Sequence, residues 1–241
     1  MLHTVHPGAM VVQSAYPDPP FELMRDGAAT GFDIELMRAV CRRLGRELRT
    51  VAFDGDDFND IFDGLIRGGC DAVISGATIT PERAAKVRFS KPYLMFNQGV
   101  AVNRRMTPRV SSFADLRGLT AGIQSGNTSD LVARRLLAEG HIAGIRYYPY
   151  RSVMSAIDDL EAGRIGLVIK LRPVIGWLTK DRPDLAVPLE ALTSERIAVA
   201  FAPGREDLCS AVDAAIDALR ASGEFAELQA KWPGTEACLP L

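Results

Sequence analysis

The sequence is poor in the residues from which metal and redox sites are built. Its 241 residues include only three histidines and four cysteines. The histidines, His3, His6 and His141, are scattered, and no two cysteines have the CxxC spacing of zinc and thiol–disulfide sites. We therefore expect no metal cluster and no bound cofactor.

Long apolar runs and an excess of charge of one sign are also missing. The apolar segments are too short to cross a bilayer. A formal net charge of −2, without a basic stripe, argues against nucleic-acid binding. Residues 1–6 lack the charged and apolar regions of a secretion signal. The chain is therefore a mature fragment whose signal has been removed, a domain of a larger receptor, or a cytoplasmic protein.

The four cysteines are an even number, which fits an oxidising compartment. Cys209 and Cys238 flank the helical segment that closes the chain, so a bridge between them would hold the C-terminus. A Cys41–Cys70 pair is equally compatible with the count. Four buried free thiols are the third alternative.

Strands and helices alternate twice along the sequence, which is the pattern of parallel sheets with crossover helices. The composition, 47% hydrophobic and 24% charged, is that of a globular chain with one large or two modest domains. In the first half we predict helices over 33–44 and 58–66 and strands over 48–53 and 72–75. In the second half we predict strands over 119–123, 145–148 and 166–169 and helices over 129–139 and 153–162.

The segment 71–93 combines a buried strand, a turn of small residues and an arginine. The turn and the polar residues that follow it are Ser75, Gly76, Ala77, Thr78 and Arg83. Backbone N–H groups, a threonine hydroxyl and a planar guanidinium are suited to a carboxylate. A helix opened by Pro81 would favour an anion as well. The alternative is an ordinary strand–turn–helix with an exposed arginine.

A second anion site is predicted in the other half of the chain. The polar residues before the helix over 129–139 include Gln124, Ser125, Asn127 and Thr128. Backbone N–H groups at Asn127, Thr128 and Ser129 would point toward an anion, and the helix dipole would assist them.

Five segments in the same order resemble the family-3 solute-binding proteins, which deliver polar amino acids to ABC transporters. They are YPDPPFE (16–22), GFDIE (31–35), the segment 71–93, DLRG with GIQSGNT (115–118, 122–128), and GEF with KWPG (223–225, 231–234). The resemblance implies an α/β fold, the two-lobed type II periplasmic-binding-protein clamshell. Each lobe would have a central, mostly parallel sheet flanked by helices, and two crossover strands would form the hinge.

The crossover strands are predicted over 99–103 and 196–201. Helices over 206–220 and 224–231 would complete the first lobe. We therefore expect a discontinuous first lobe, residues 1–99 and 198–241, and a second lobe, residues 100–197.

The resemblance also implies a function and a set of binding residues. A small carboxylate-bearing solute would be captured between the lobes by hinge closure and presented to a membrane ABC transporter permease. The protein would work in the periplasm or outside the cell, and a monomer is the simplest expectation. Gly76, Thr78 and Arg83 would hold the ligand carboxylate from the first lobe and Thr128 from the second. Tyr16 and Phe58 would be aromatic walls, with core packing as their alternative role.

The chain departs from the family at the strand over 166–169. Amino-acid binders place an aspartate after this strand for the ligand's α-ammonium, whereas this chain has Leu171, preceded by Lys170. A cation there would repel an ammonium, so we expect an acid without an α-ammonium, such as a dicarboxylate, a keto acid or an aromatic acid. If Lys170 points away, Leu171 forms an apolar wall. An amino acid held in another way remains the alternative, with Asp18 or Glu195 as substitute carboxylates, although Asp18 is expected to be exposed in its turn.

Two further functions compete with the solute receptor. The same fold serves as the sensory domain of membrane receptors such as histidine kinases. Some proteins of this architecture are cyclohexadienyl dehydratases, which need a carboxyl group as general acid. No Ser–His–Asp or Cys–His arrangement and no GxSxG motif is present, so we expect no enzyme.

Overall fold

The computed structural model describes residues 2–236 and contains two compact units. Unit 1 comprises the chain up to Asp54, Asn59–Met95, and the chain from Glu195 onward. Unit 2 comprises Gly55–Phe58 and Phe96–Ser194. These bounds lie a few residues before the predicted ones at 99/100 and 197/198, and they assign the short segment Gly55–Phe58 to unit 2.

Strands and helices alternate along most of the chain. The strands are β1 (Ala9–Ser14), β2 (Leu23–Arg25), β3 (Ala28–Thr30), β4 (Glu47–Ala52), β5 (Ala72–Val73), β6 (Arg88–Phe89), β7 (Leu94–Asn103), β8 (Thr120–Gln124), β9 (Gly144–Tyr148), β10 (Leu167–Leu171), β11 (Leu185–Ile197) and β12 (Ala200–Phe201). The helices are α1 (Phe32–Arg43), α2 (Asp63–Ile66), α3 (Pro81–Ala84), α4 (Ser129–Ala138), α5 (Val153–Glu161), α6 (Arg172–Thr179), α7 (Glu206–Ser222) and α8 (Glu224–Lys231).

Unit 1 contains a five-stranded sheet with the order β4-β1-β5-β12-β6. β1 is parallel to both of its neighbours, and β12 is antiparallel to β5 and β6. β1 is buried at Ala9, Met10, Val11 and Val12, as expected for a central strand covered on both faces. The carboxyl ends of β1 and β5 therefore lie side by side, which brings the turns that follow them together.

Unit 2 contains a second five-stranded sheet with the order β11-β7-β10-β8-β9. β10 lies parallel to β8 and antiparallel to β7. Leu167 and Ile169 of β10 pack in a core cluster with Val132 and Leu136 of α4, whereas Val168 packs with Ile157 of α5. Because successive side chains of a strand point to opposite faces, the sheet is covered by α4 on one face and by α5 on the other.

Two predicted strands are shorter than expected. The strand over 72–75 corresponds to β5, which ends at Val73. Ile74 N still donates to Gln13 O of β1 at 3.1 Å, whereas Gly76 N donates to a side chain, Asp33 Oδ2. The strand over 196–201 is interrupted between Ile197 and Ala200. There, Val199 N donates to Ser90 Oγ at 2.9 Å. The helix predicted over 58–66 is a 3₁₀ helix, Phe58–Phe62, followed by α2.

Cys41, Cys70 and Cys209 are buried free thiols. The predicted alternative of a Cys41–Cys70 bridge is therefore wrong. The alternative Cys209–Cys238 bridge involves Cys238, which lies outside the described residues. Burial raises the pKa of the Cys41 and Cys70 thiols to about 11, which keeps both protonated at neutral pH. Among residues 2–236, none of the helices has the length and apolarity needed to cross a membrane.

Candidate ligand site

Arg83 of unit 1 lies on α3 and is only 6% exposed. Its Nε donates to Asn59 Oδ1 at 3.1 Å, and its Nη1 donates to Thr78 O at 3.0 Å. Two bonds from one planar group fix the orientation of the guanidinium, and Cζ lies 5.5 Å from the centroid of the Phe62 ring. The alternative of an exposed arginine is therefore wrong.

The one-turn helix α3 contributes little to an anion site. Thr80 is its N-cap residue, and Thr80 Oγ1 accepts a hydrogen bond from Arg83 N at 3.2 Å. One N–H of the first turn is thus already paired within the chain, and a helix of four residues has a small dipole. The charge of Arg83 is therefore better suited to an anion than the helix end opened by Pro81.

The backbone before α3 is anchored to the strand that returns to unit 1. Thr78, which is buried, forms an antiparallel β-bridge with Ile197. Ala198 N donates to Ala77 O at 3.0 Å. These contacts join positions more than a hundred residues apart in sequence. They fix the backbone of Thr78, whose carbonyl oxygen accepts the bond from Arg83.

Ser75 and Gly76 are bonded to two buried carboxylates of unit 1. Ser75 Oγ donates to Glu22 Oε1 and accepts a bond from Ala15 N. Gly76 N donates to Asp33 Oδ2 at 2.7 Å. The N–H of Gly76 is therefore bonded within the chain, and the predicted role of Gly76 in holding a ligand carboxylate remains a prediction. The glycine itself is required, because its φ is +52° and a β-carbon would lie 3.0 Å from the Phe21 ring.

Asp33 is fully buried and is bonded on both oxygens. Tyr93 OH donates to Asp33 Oδ1 at 2.7 Å, while Gly76 N occupies Oδ2. The pKa of Asp33 is raised from its ordinary value to about 7, chiefly by burial and in part by the charge of Asp18, while the hydrogen bonds from Gly76 and Tyr93 act in the opposite direction. Asp33 therefore titrates near neutral pH, directly behind the Ser75–Gly76 turn.

Asp18 is buried, at 4% exposure, so the prediction of an exposed turn aspartate is wrong. Its backbone closes a tight turn, in which Asp18 N donates to Glu22 O at 2.8 Å and Phe21 N donates to Asp18 O at 3.1 Å. Tyr16, at the start of the same turn, is half-buried, and its pKa is raised to about 12 by burial and by the charge of Glu22. Glu195, the other predicted substitute carboxylate, is buried as well.

Lys170 of unit 2 is 3% exposed and points toward the residues before α4. Its Nζ donates to Gln124 Oε1 at 2.5 Å, and the same oxygen accepts a bond from Asn127 Nδ2 at 3.2 Å. Nζ also lies 5.4 Å from the centroid of the Tyr150 ring. The structure therefore brings Lys170 together with two predicted site residues, Gln124 and Asn127, and whether Lys170 meets a ligand remains a prediction.

The N-terminus of α4 carries the remaining predicted donors of unit 2. Thr128 precedes Ser129, the first helical residue, and Thr128 Oγ1 accepts a bond from Gln98 Nε2 at 3.1 Å. Asn127 N donates to Gln124 O at 3.3 Å, so this predicted N–H is used within the turn. Within the part of the chain that the structure describes, the buried Ser129 Oγ has no hydrogen-bond partner.

Phe58 and Ser125 are adjacent within unit 2, because Phe58 N donates to Ser125 O at 3.1 Å. The Phe58 ring packs at 4.9 Å from the Tyr150 ring, so it has a packing partner whether or not it also meets a ligand. Leu171 ends β10 and is 9% exposed. The ligand-wall roles of Phe58, Tyr16 and Leu171 remain predictions.

Several supporting residues were missed from the sequence. Asn59 and Gln98 orient Arg83 and Thr128, but their partners lie 24 and 30 residues away, so no local pattern indicates them. Glu22 and Asp33 lie inside the family-like segments 16–22 and 31–35, and their position there was a usable signal. A buried Asp or Glu beside a turn commonly binds its backbone N–H groups.

Known proteins of one family match most of the chain. Residues 10–235 match the family of bacterial extracellular solute-binding proteins, family 3. The chain is 30% identical over 220 residues to ABC transporter arginine-binding protein 1 of Escherichia coli, covering 89% of this chain and 86% of that protein. It is 31% identical over 236 residues to the L-arginine-binding protein of Pseudomonas aeruginosa, covering 92% and 85%. A solved ancestral arginine-binding protein bound to arginine has a TM-score of 0.84 at 27% identity, covering 94% and 99%.

Proposed function

Because the chain belongs to the bacterial extracellular solute-binding proteins, family 3, we propose that it is a receptor that binds a small carboxylate-bearing solute and presents it to a membrane ABC transporter. The observation that supports this most directly is Arg83, a buried guanidinium oriented by Asn59 and by Thr78 O. A planar guanidinium held in a fixed orientation is suited to a bidentate, charge-assisted bond with a carboxylate.

In this proposal unit 1 holds the carboxylate through the guanidinium of Arg83 and the hydroxyl of Thr78. The charge-assisted bonds from the arginine supply most of the affinity. The Ser75–Ala77 turn sets the position of Thr78 and leaves Gly76 N bonded to Asp33. The prediction that the α4 N-terminus at Thr128 holds the same carboxylate from unit 2 remains a prediction.

Two features of the chain favour different ligand classes. The buried Lys170 and the adjacent Leu171, where amino-acid binders have an aspartate, favour an acid without an α-ammonium. The curated relatives named above are arginine-binding proteins, and the buried Asp18 offers an acidic side chain in unit 1, which together favour an amino acid. Both classes share the carboxylate, and the proposal rests on that group.

The setting of the receptor follows from the family. We propose that it acts in the periplasm or at the outer surface of the cell, as a monomer, with a transporter permease as its membrane partner. Binding and release without chemistry suffice for this role. A sensory domain of a membrane kinase would use the same ligand chemistry, and it differs in having a transmembrane segment in its full-length reading frame.

The proposal is tested by a thermal-shift screen with matched pairs of compounds. L-arginine is compared with agmatine, and succinate with 1,4-butanediol, so that each pair differs in its carboxylates. A compound at a hundred times its Kd stabilises the protein by about 2.7 kcal/mol, which raises the Tm of a chain of this size by a few degrees. We expect a shift with at least one carboxylate and none with its partner. Equal shifts within each pair, or no shift with any acid, would overturn the proposal.

Lys170→Met distinguishes the two ligand classes. Removing the ammonium beside Gln124 should weaken succinate binding about tenfold, because one charged partner of the acid is lost, and should leave or improve L-arginine binding. Lys180→Met is the matched control, since Lys180 is the residue after α6 and its Nζ lies 3.6 Å from the centroid of the Trp177 ring. Isothermal titration measures the Kd values. If neither Kd changes in Lys170→Met, the lysine does not act on the ligand.

A further inference from the structure

The Ser75–Gly76 turn is bonded to a buried carboxylate, Asp33, which is not among the proposed ligand contacts. Gly76 N and Tyr93 OH donate to the two oxygens of Asp33 at equal distances of 2.7 Å. Asp33 sits in the first turn of α1, whose backbone is bonded to the turn after β1, because Asp33 N donates to Phe21 O at 3.0 Å. Asp33 therefore links a rigid helix to a turn that precedes Thr78 by only two residues.

The surroundings of Asp33 are acidic or neutral. Asp18 acts on it from the turn after β1, Tyr93 bonds to it from the segment before β7, and Gly76 N–H bonds to it from the turn after β5, while Glu22 of the turn after β1 acts on Tyr93. Asp18 is the charged group that acts on it directly. The ionised carboxylate of Asp33 is therefore stabilised by its two hydrogen-bond donors, Gly76 N–H and Tyr93 OH.

We propose that Asp33 is a positioning residue of the ligand site, whose ionised carboxylate holds the Ser75–Thr78 segment in its binding geometry, so that affinity falls as this carboxylate gains a proton. The proposal rests on the proposed carboxylate site of unit 1. It adds a link between ligand affinity and pH through a residue that does not touch the ligand.

The chemistry of the proton explains the direction of the effect. An ionised carboxylate accepts from both Gly76 N–H and Tyr93 OH, and charge-assisted bonds are roughly twice as strong as neutral ones. A protonated carboxyl has one acceptor fewer on the oxygen that carries the proton, so one of the two donors loses its partner or is held more weakly. The value of about 7 for the pKa of Asp33 places this change near neutral pH.

The test measures Kd against pH for wild type, Asp33→Asn and Tyr93→Phe. The probes are L-arginine and succinate, chosen by which one shifts the wild-type Tm, and titrations run from about pH 6 to about pH 8. Wild-type affinity should fall about fivefold to tenfold as the pH is lowered across this range. Asp33→Asn should bind as weakly at about pH 8 as wild type does at about pH 6, with a flat profile. Tyr93→Phe removes one donor to the carboxylate, so the midpoint of its profile should move to higher pH.

Asp71→Asn is the matched control, because Asp71 is also buried and accepts bonds from two backbone N–H groups, those of Val5 and Val11. This variant should keep the wild-type pH profile even if its Tm is lower. A wild-type Kd that does not change with pH, or an Asp33→Asn profile that matches the wild-type one, would overturn this inference and leave the receptor proposal standing. Failure of both probes to bind wild type at any pH would instead contradict the proposed function, and with it the site on which this inference rests.

Discussion

Arg83→Ala is expected to weaken binding of the carboxylate ligand by about 2–5 kcal/mol, the range measured when one partner of a buried charge pair is truncated. The guanidinium is buried and its plane is fixed by Asn59 and Thr78 O. A ligand carboxylate left without this partner would stay desolvated and uncompensated. At the upper end of the range, binding would be undetectable at ordinary protein concentrations. Isothermal titration with the best compound of the screen measures the change.

Two further variants separate the charge of Arg83 from its shape. Arg83→Lys keeps a cation but loses the planar fork, so its affinity should lie between those of wild type and Arg83→Ala. Arg67→Ala is the control, because Arg67 follows α2 and its guanidinium pairs with the exposed Asp63 at 3.6 Å. Its Kd should equal that of wild type. If Arg83→Ala retains wild-type affinity while its Tm is unchanged, the ligand carboxylate is bound elsewhere.

Asp33→Asn is expected to remove a pH dependence of up to about 4 kcal/mol from the free energy of unfolding. The pKa of Asp33 is raised to about 7 in the folded chain, against an ordinary value of 3.8, and each unit of difference corresponds to about 1.4 kcal/mol. Between these two values the folded state binds the proton more tightly than the unfolded state. The contribution of Asp33 to stability is therefore largest below about pH 4 and is lost as the pH rises through about 7.

Urea unfolding from about pH 4 to about pH 8 measures this contribution as the difference between wild type and Asp33→Asn. The difference is needed because groups with lowered pKa values, such as Glu35 and Asp159, have the opposite dependence in the acid range. Wild type should lose stability relative to the variant as the pH rises. Parallel curves for the two proteins would mean that Asp33 ionises at its ordinary pH.

Much of the fold was predictable because its signals are local. The helix over 33–44 was indicated by Ile34, Met37 and Cys41 on one face, and α1 spans Phe32–Arg43 with all three buried. The order of family-like segments led to the α/β type II periplasmic-binding-protein class, which the structural neighbours confirm. Local periodicity and short motifs therefore sufficed for the fold class and for many of its elements.

The candidate site was less predictable because long-range contacts decide which groups remain available. The motif 71–93 indicated Arg83 as an anion-binding candidate, a role that remains a prediction, but the bond from Gly76 N to Asp33 joins residues 43 positions apart. The burial of Asp18 depends on a turn whose partners are only apparent in three dimensions. The direction of the Lys170 side chain was not predictable either, because alternation along β10 allowed both faces of the sheet. The structure shows it bonded to Gln124.

Ala198 bonds to Ala77 and β12 pairs with β5, so unit 1 needs residues from both ends of the sequence. The two units can therefore complete their sheets at different stages of synthesis. Unit 2 is nearly continuous in sequence, so its sheet can close once the chain through about residue 194 is available. Unit 1 begins the chain yet lacks its fourth strand and the anchor of Thr78 until the residues after 195 have emerged. The part of unit 1 that comes first in the sequence is therefore completed only when the residues after 195 are available, and the β-bridge between Thr78 and Ile197 forms with it.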